Sequence, residues 1–221
     1  MKKNDKIWPD SEFNYRLSND IKRTQQFKQD IKFIESFICM KNKKILDIGC
    51  STGEFLKDYS KNNDIYGMET NKLAIRIASK YLSFDKDIFN TKNYFDIIIY
   101  RGTIQHIRDY EIYIQESYKA LKKNGYIFFI STPNLDSPAF KIINDIYFLN
   151  KDYVFFWPSE KKLIELLKSY KFNFLHISFP YFKSPYANYI SDHIKYIYSL
   201  VTKKKLKYAF YKNMMNIVFT K

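Results

Sequence analysis

Glycine is scarce in this chain: five in 221 residues, all between Gly49 and Gly125. Glycine is retained where the backbone needs positive φ or a close approach, so that stretch is expected to be the functional half. Arginine is equally rare. Of 37 basic residues five are Arg (Arg16, Arg23, Arg76, Arg101 and Arg108), and the remaining 32 are Lys. A formal charge of +14 would suit nucleic acid, but polyanion-reading surfaces favour the bidentate arginine fork. Lysine scattered among Asn, Ile, Tyr and Phe reads as compositional drift and a solvated surface, with nucleic acid as the lesser alternative. Two cysteines, Cys39 and Cys50, exclude a disulfide framework. No His/Cys/Asp cluster has metal-ligand spacing. No run nears the ~20 apolar residues of a spanning helix, so no transmembrane segment is expected. The polar N-terminus leads into no signal-type apolar stretch, which predicts a cytoplasmic protein.

What is present alternates between strand and helix. Ile45, Leu46 and Ile48 read as a buried strand, Gly49 to Gly53 as a tight turn, and Glu54 to Tyr59 as the start of a helix. That sequence of elements leaves backbone N–H groups beside a nucleotide-sized crevice. The loop lacks the Lys-Ser/Thr ending of a phosphate-gripping loop, and Ser51 stands where a middle glycine would complete a dinucleotide fingerprint. Asp64 to Glu69 is a second strand ending in an acid 20 residues beyond Gly49. A carboxylate there can accept two hydrogen bonds from ribose hydroxyls. Asn71 caps a helix through Tyr81, and Leu82 to Phe89 is a third strand and its exit. Phe95 to Tyr100 is a fourth, apolar on both faces as a central parallel strand should be. A helix over Asp109 to Lys123 ends at Asn124-Gly125, and Tyr126 to Ser131 is the fifth strand. Glu160 to Tyr170 is a helix, Phe172 to Tyr181 a sixth strand, and Met214 to Thr220 a seventh, antiparallel at the sheet edge.

Ile45-Leu46-Asp47-Ile48-Gly49-Cys50-Ser51-Thr52-Gly53 resembles the first motif of the class I S-adenosylmethionine-dependent methyltransferases, with Ser51 for the middle glycine. Leu121-Lys122-Lys123-Asn124-Gly125-Tyr126-Ile127-Phe128-Phe129-Ile130-Ser131-Thr132-Pro133-Asn134 is similar to the helix–turn–strand of that family's small-molecule, sugar and quinone O-methyltransferase branch. The resemblance covers roughly residues 40–180. It implies an α/β, Rossmann-like doubly wound, mostly parallel seven-stranded sheet with an antiparallel edge strand. The whole chain, 1–221, is then one domain. Residues 1–40 form an N-terminal arm and helix, 41–134 the cofactor-binding half, and 135–157 and 182–212 insertions over the substrate. It further implies S-adenosyl-L-methionine as cofactor, held by Asp47, Gly49, Cys50, Ser51 and Gly53, with Glu69 on the ribose. Asp87 would meet the adenine amine and Ile88 the ring, Asp85 competing with Asp87.

Methyl transfer to a hydroxyl needs alignment and a base. His106 follows the fourth strand's C-terminal end, where substrates sit in open α/β sheets, so it is the catalytic candidate; a helix-entry histidine bonded to backbone is the alternative. Arg101, at the same rim and counted among the cofactor-binding residues, offers a cation to a phosphate or carboxylate. His193, beside Asp192, is a weaker base candidate, and His176 sits mid-strand as a structural residue. Tyr100-Arg101-Gly102-Thr103 stands where amide-nitrogen methyltransferases carry Asn/Asp-Pro-Pro-aromatic, which argues against DNA-base and glutamine N-methylation and leaves O- and other N-acceptors open. The expected acceptor is a small-molecule hydroxyl, on a sugar or nucleotide-sugar in surface-polysaccharide synthesis, or on a quinone or lipid precursor. Rivals are an RNA methyltransferase gripping through Lys203–Lys207, and a catalytically silent binding module.

Overall fold

A computed structural model describes residues 9–11, 21–85, 87–143, 151–204 and 212–221. Strands β1 (Lys44–Ile48), β2 (Asp64–Met68), β3 (Phe95–Arg101), β4 (Leu121–Pro133), β5 (Asn173–Ser178) and β6 (Met214–Thr220) form one sheet. Its order is β2-β1-β3-β4-β6-β5. The first four strands run parallel, and β6 runs antiparallel to both β4 and β5. The final strand is therefore antiparallel as expected, but it lies inside the sheet and β5 takes the edge.

Alternation along the strands builds two cores. Ile97 and Ile99 of β3, with Ile45, Phe128 and Val218, face helix α1 (Ile21–Glu35), which contributes Ile31 and Ile34. Ile98 and Tyr100, with Leu46, Phe129 and Ile217, face α3 (Tyr110–Ala120) and α5 (Glu160–Ser169), which contribute Ile114, Leu163 and Leu167. Burial on both faces is why β3 reads as a continuous apolar run rather than an alternating one. Helix α2 (Lys72–Ala78) begins where Asn71 Oδ1 accepts the Ala74 N–H at 2.9 Å. Two further helices, α4 (Pro138–Ile143) and α6 (Tyr189–Thr202), lie in the inserted segments.

Among the described residues the sheet has six strands, not seven. The expected third strand is reduced to a single parallel bridge between Ser83 and Tyr66, because a short turn of 3-10 helix, Ile88–Asn90, follows almost at once. The expected helix after Gly53 is also absent among the described residues. Turns and a 3-10 helix, Lys57–Asn62, fill the crossover, since buried Phe55 and Leu56 pin a connection that must re-enter the sheet at Asp64. Helix α3 stops at Ala120. Asn124 adopts the left-handed conformation foreseen for a cap, φ 64°, but inside the irregular start of β4. The arm over residues 1–8 and 12–20 and parts of both insertions, 144–150 and 205–211, lie outside the described residues.

Near its carboxyl end β4 shifts register between Phe129 and Thr132, with Ser131 left-handed at φ 50°. There the buried Asn216 side chain on β6 accepts the Ser131 N–H at 2.8 Å through Oδ1. Replacing Asn216 with Ala orphans a buried donor and is expected to cost about 1–3 kcal/mol in urea denaturation. A loss of a few tenths would mean that the bulge does not depend on this bond.

Candidate active site

The carboxyl ends of β1, β2 and β3 meet at one crevice, and the glycine loop makes its floor. Gly49, Ser51 and Gly53 are all left-handed, at φ 75°, 52° and 76°. A Cβ on Gly49 would collide with the side chain of Thr103, on the loop after β3, so this position admits only glycine. Gly49 and Cys50 both donate backbone N–H to Met68 O, at 2.8 and 3.2 Å, which ties the loop to the end of β2. Beside them Glu69 takes the Ser51 N–H on Oε2 at 3.0 Å. Its Oε1 takes the N–H groups of Thr70 and Asn71, at 2.7 and 3.1 Å. The acid at the end of β2 therefore bridges the two loops that face each other across the crevice.

A cavity of about 600 Å³ opens there, within the range of about 300–1,000 Å³ typical of small-molecule sites. Asp47, Gly49, Cys50, Ser51, Glu69, Arg101 and His106 all line it. Three other anticipated positions do not. Gly53 packs under the loop against Ala78 and Leu82. Ile88 is 2% exposed and its side chain belongs to the core. Asp87 is exposed, with its carboxylate on Asn90 Nδ2 at 3.1 Å. The short 3-10 turn after Ser83 carries both away from the crevice wall. His193 is exposed on α6, its ring against Tyr189 O, and His176 lies on β5 beside Phe33 and Phe37.

Arg101 reaches the cavity but is already engaged. Its Nε and an Nη both lie 2.8 Å from Asp30 Oδ2, and its guanidinium stacks 4.4 Å from the Phe27 centroid. Asp30, fully buried on α1, also accepts from Gln26 Nε2 at 2.9 Å and Ser131 Oγ at 3.2 Å. Burial raises the Asp30 carboxyl above its ordinary range, and Arg101 opposes that shift. Removing either partner of such a buried pair costs about 3–5 kcal/mol. The arginine expected to hold an anion thus clamps α1 onto the carboxyl edge of β3.

His106 ends the 3-10 turn Ile104–His106. Its Nδ1 lies 2.7 Å from the Tyr153 carbonyl, which can only accept, so Nδ1 carries the proton. Gln105 Nε2 donates to Gly102 O at 2.9 Å and lies 3.1 Å from His106 Nε2, which therefore presents a lone pair. Both contacts select the same neutral tautomer. Tyr153, together with Gln26, Phe27, Tyr186 and Met214, was invisible in the sequence reading, because each reaches the cavity from an element far from the glycine loop in sequence: α1, an insertion, or the start of β6. Thr103 and Gln105 stood inside the recognised loop and were the detectable ones. Burial pushes the Cys50 thiol up, so it is no nucleophile.

The lining suits an adenosyl sulfonium: two acids, Asp47 and Glu69, and a proton acceptor, His106 Nε2, around a cavity of fitting size. The fold, together with this site, defines a class I S-adenosylmethionine-dependent methyltransferase. A methyltransferase-domain family profile matches residues 20–177, and the chain belongs to that family. A ubiquinone biosynthesis O-methyltransferase of Pelagibacter ubique is 31% identical over 195 residues, covering 76% of this chain and 81% of the relative. An S-adenosylmethionine-dependent methyltransferase from Archaeoglobus fulgidus superposes with a TM-score of 0.63 at 17% identity, over 90% of this chain and 94% of that one. A Haemonchus contortus phosphoethanolamine N-methyltransferase, solved with S-adenosylmethionine, gives 0.61 at 17%, over 88% and 52%. These two structures share the fold.

Burial raises the Asp47 carboxyl from 3.8 to about 7, against the pull of Arg101 and with a push from Glu69. The folded form therefore holds a proton that the unfolded chain releases. The penalty is absent below about pH 4 and complete above about pH 7. Asp47→Asn is expected to match wild type in urea denaturation near pH 4 and to gain about 1.4 kcal/mol per pH unit up to pH 7. A pH-independent difference would contradict the burial assigned to this carboxylate.

Proposed function

We propose that this enzyme methylates a hydroxyl on an apolar, ring-bearing small molecule of the quinone-precursor class. The observation that carries this reading is the pairing of the cavity's arginines. Arg23 sits on Glu54 at 3.3 Å and Arg101 on Asp30 at 2.8 Å, while Ile107, Tyr113, Tyr153 and Met214 supply apolar and aromatic wall. A nucleotide-sugar, the acceptor first expected, would need a cation for its phosphates. The name of the Pelagibacter relative points the same way. The basic grip required by an RNA substrate extends into residues outside those described.

When bound, S-adenosylmethionine supplies a methyl group on a sulfonium, which leaves as a neutral sulfide. Glu69 would take the ribose hydroxyls through Oε2, which carries one protein donor, and Asp47 would lie toward the cofactor's positive charge. Tyr113 and Ile107 would align the ring and exclude water, and alignment of this kind supplies up to roughly 7–11 kcal/mol. His106 Nε2, exchanging the Gln105 N–H for the acceptor's hydroxyl, takes its proton as the C–O bond forms. The imidazolium keeps its Nδ1–H on Tyr153 O.

In assays with labelled cofactor, a phenolic quinone precursor is expected to accept methyl and a nucleotide-sugar is not. His106→Asn should lower kcat by about 10²–10⁴-fold while leaving cofactor affinity unchanged. Methylation of the sugar alone would overturn the acceptor reading, and an unaltered kcat would remove His106 as the base.

A further inference from the structure

Helix α6 is built inside out. Ile190, Ile194, Ile197 and Val201 recur every three to four residues and are 77, 62, 59 and 79% exposed. Tyr198 adjoins them at 44%. Its two buried residues are polar: Asp192 is 3% and Ser199 0% exposed. Asp192 Oδ2 accepts from Tyr181 Oη at 3.1 Å and from the Asn188 N–H at 3.0 Å. A helix on a water-soluble surface places its apolar stripe against the core. Here the polar face is tethered inward, and rolling the stripe under would break those bonds.

Charge decides what covers the stripe, which runs nearly the length of a helix about 21 Å long at 1.5 Å per residue. Lys203 and Lys204, both exposed, end the helix, and the sequence continues with Lys205 and Lys207. Asp192 is the one acid between Tyr189 and Lys204, and it is buried. A second copy laid on this stripe would bring lysines and tyrosines but no exposed acid to meet the lysines. An anionic bilayer complements both parts, the apolar residues at the acyl boundary and the lysines at the headgroups. At 14 residues α6 is too short to cross a bilayer, which takes about 20, so a helix of this kind would lie on one.

We propose that α6 docks the protein on an anionic lipid bilayer through Ile190, Ile194, Ile197 and Val201, with Lys203 and Lys204 on the headgroups. Tyr186, three residues before α6, lines the cavity, and Ser184 Oγ reaches Gln26 Oε1 at 3.1 Å on the cavity wall. Docking therefore sets the cavity mouth beside the lipid. The proposal does not require the acceptor reading, because bilayer binding is measured without acceptor or cofactor.

The test is flotation of the full chain with vesicles of phosphatidylglycerol in phosphatidylcholine, against phosphatidylcholine alone. Binding is expected to the mixed vesicles and to weaken as salt rises. The double variant Ile194→Glu/Ile197→Glu should bind at least about tenfold more weakly, and Lys203→Glu/Lys204→Glu should lose the preference for anionic lipid. Circular dichroism and S-adenosylmethionine affinity should remain those of wild type in both. No binding to anionic vesicles, or binding unaltered in both variants, overturns the proposal. So does a wild-type dimer that the isoleucine variants convert to monomer, which would make a second copy the occupant.

Discussion

The Glu69 carboxylate is the pivot of this molecule. It stands at the end of β2 and holds the Ser51 N–H of the loop that leaves β1, so two parallel strands end on opposite lips of one crevice. Parallel neighbours make this possible, because both strands deliver their carboxyl ends, and the loops that follow, to the same edge. Three other polar groups line the same cavity: Asp47, which is buried, Arg101, which opposes the rise of the Asp47 carboxyl from the neighbouring strand, and His106 on its 3-10 turn.

The second constraint is the buried pair that joins α1 to the sheet. Asp30 is held by Gln26, one turn away on the same helix, and by Arg101 and Ser131, on strands 71 and 101 residues away in sequence. Such a cluster is costly to bury unless complete, and its completeness fixes where α1 lies. Because α1 also brings Phe27 to the cavity wall, the clamp sets the width of the site as well as the stability of the fold. The same use of polar residues for placement recurs at α6, where Asp192 and Ser199 face inward and the apolar stripe is left outside.

The sequence made legible whatever depends on a local rule. Ile45, Leu46 and Ile48, the continuous apolar run of β3, and the acid closing β2 announced the cofactor half because parallel strands, tight turns and strand ends leave residue-type signatures. Asn71 announced the start of α2, since capping is decided within four residues. What failed was set by tertiary context. Nothing near Lys57 says that its crossover is too short for an α-helix, nor near Leu82 that one bridge replaces a strand. Arg101 read as a free cation because Asp30 lies 71 residues away. The apolar period of α6 was visible in the sequence, but not that it would point outward.

The central claim is that the crevice between β1 and β2 holds the adenosyl group of the cofactor. The most direct measurement is a crystal structure with S-adenosylhomocysteine bound. The account predicts the ribose hydroxyls on the Glu69 carboxylate, with Asp47 toward the amino-acid end. A nucleoside bound elsewhere, with Glu69 engaged only by its present backbone donors, would contradict it.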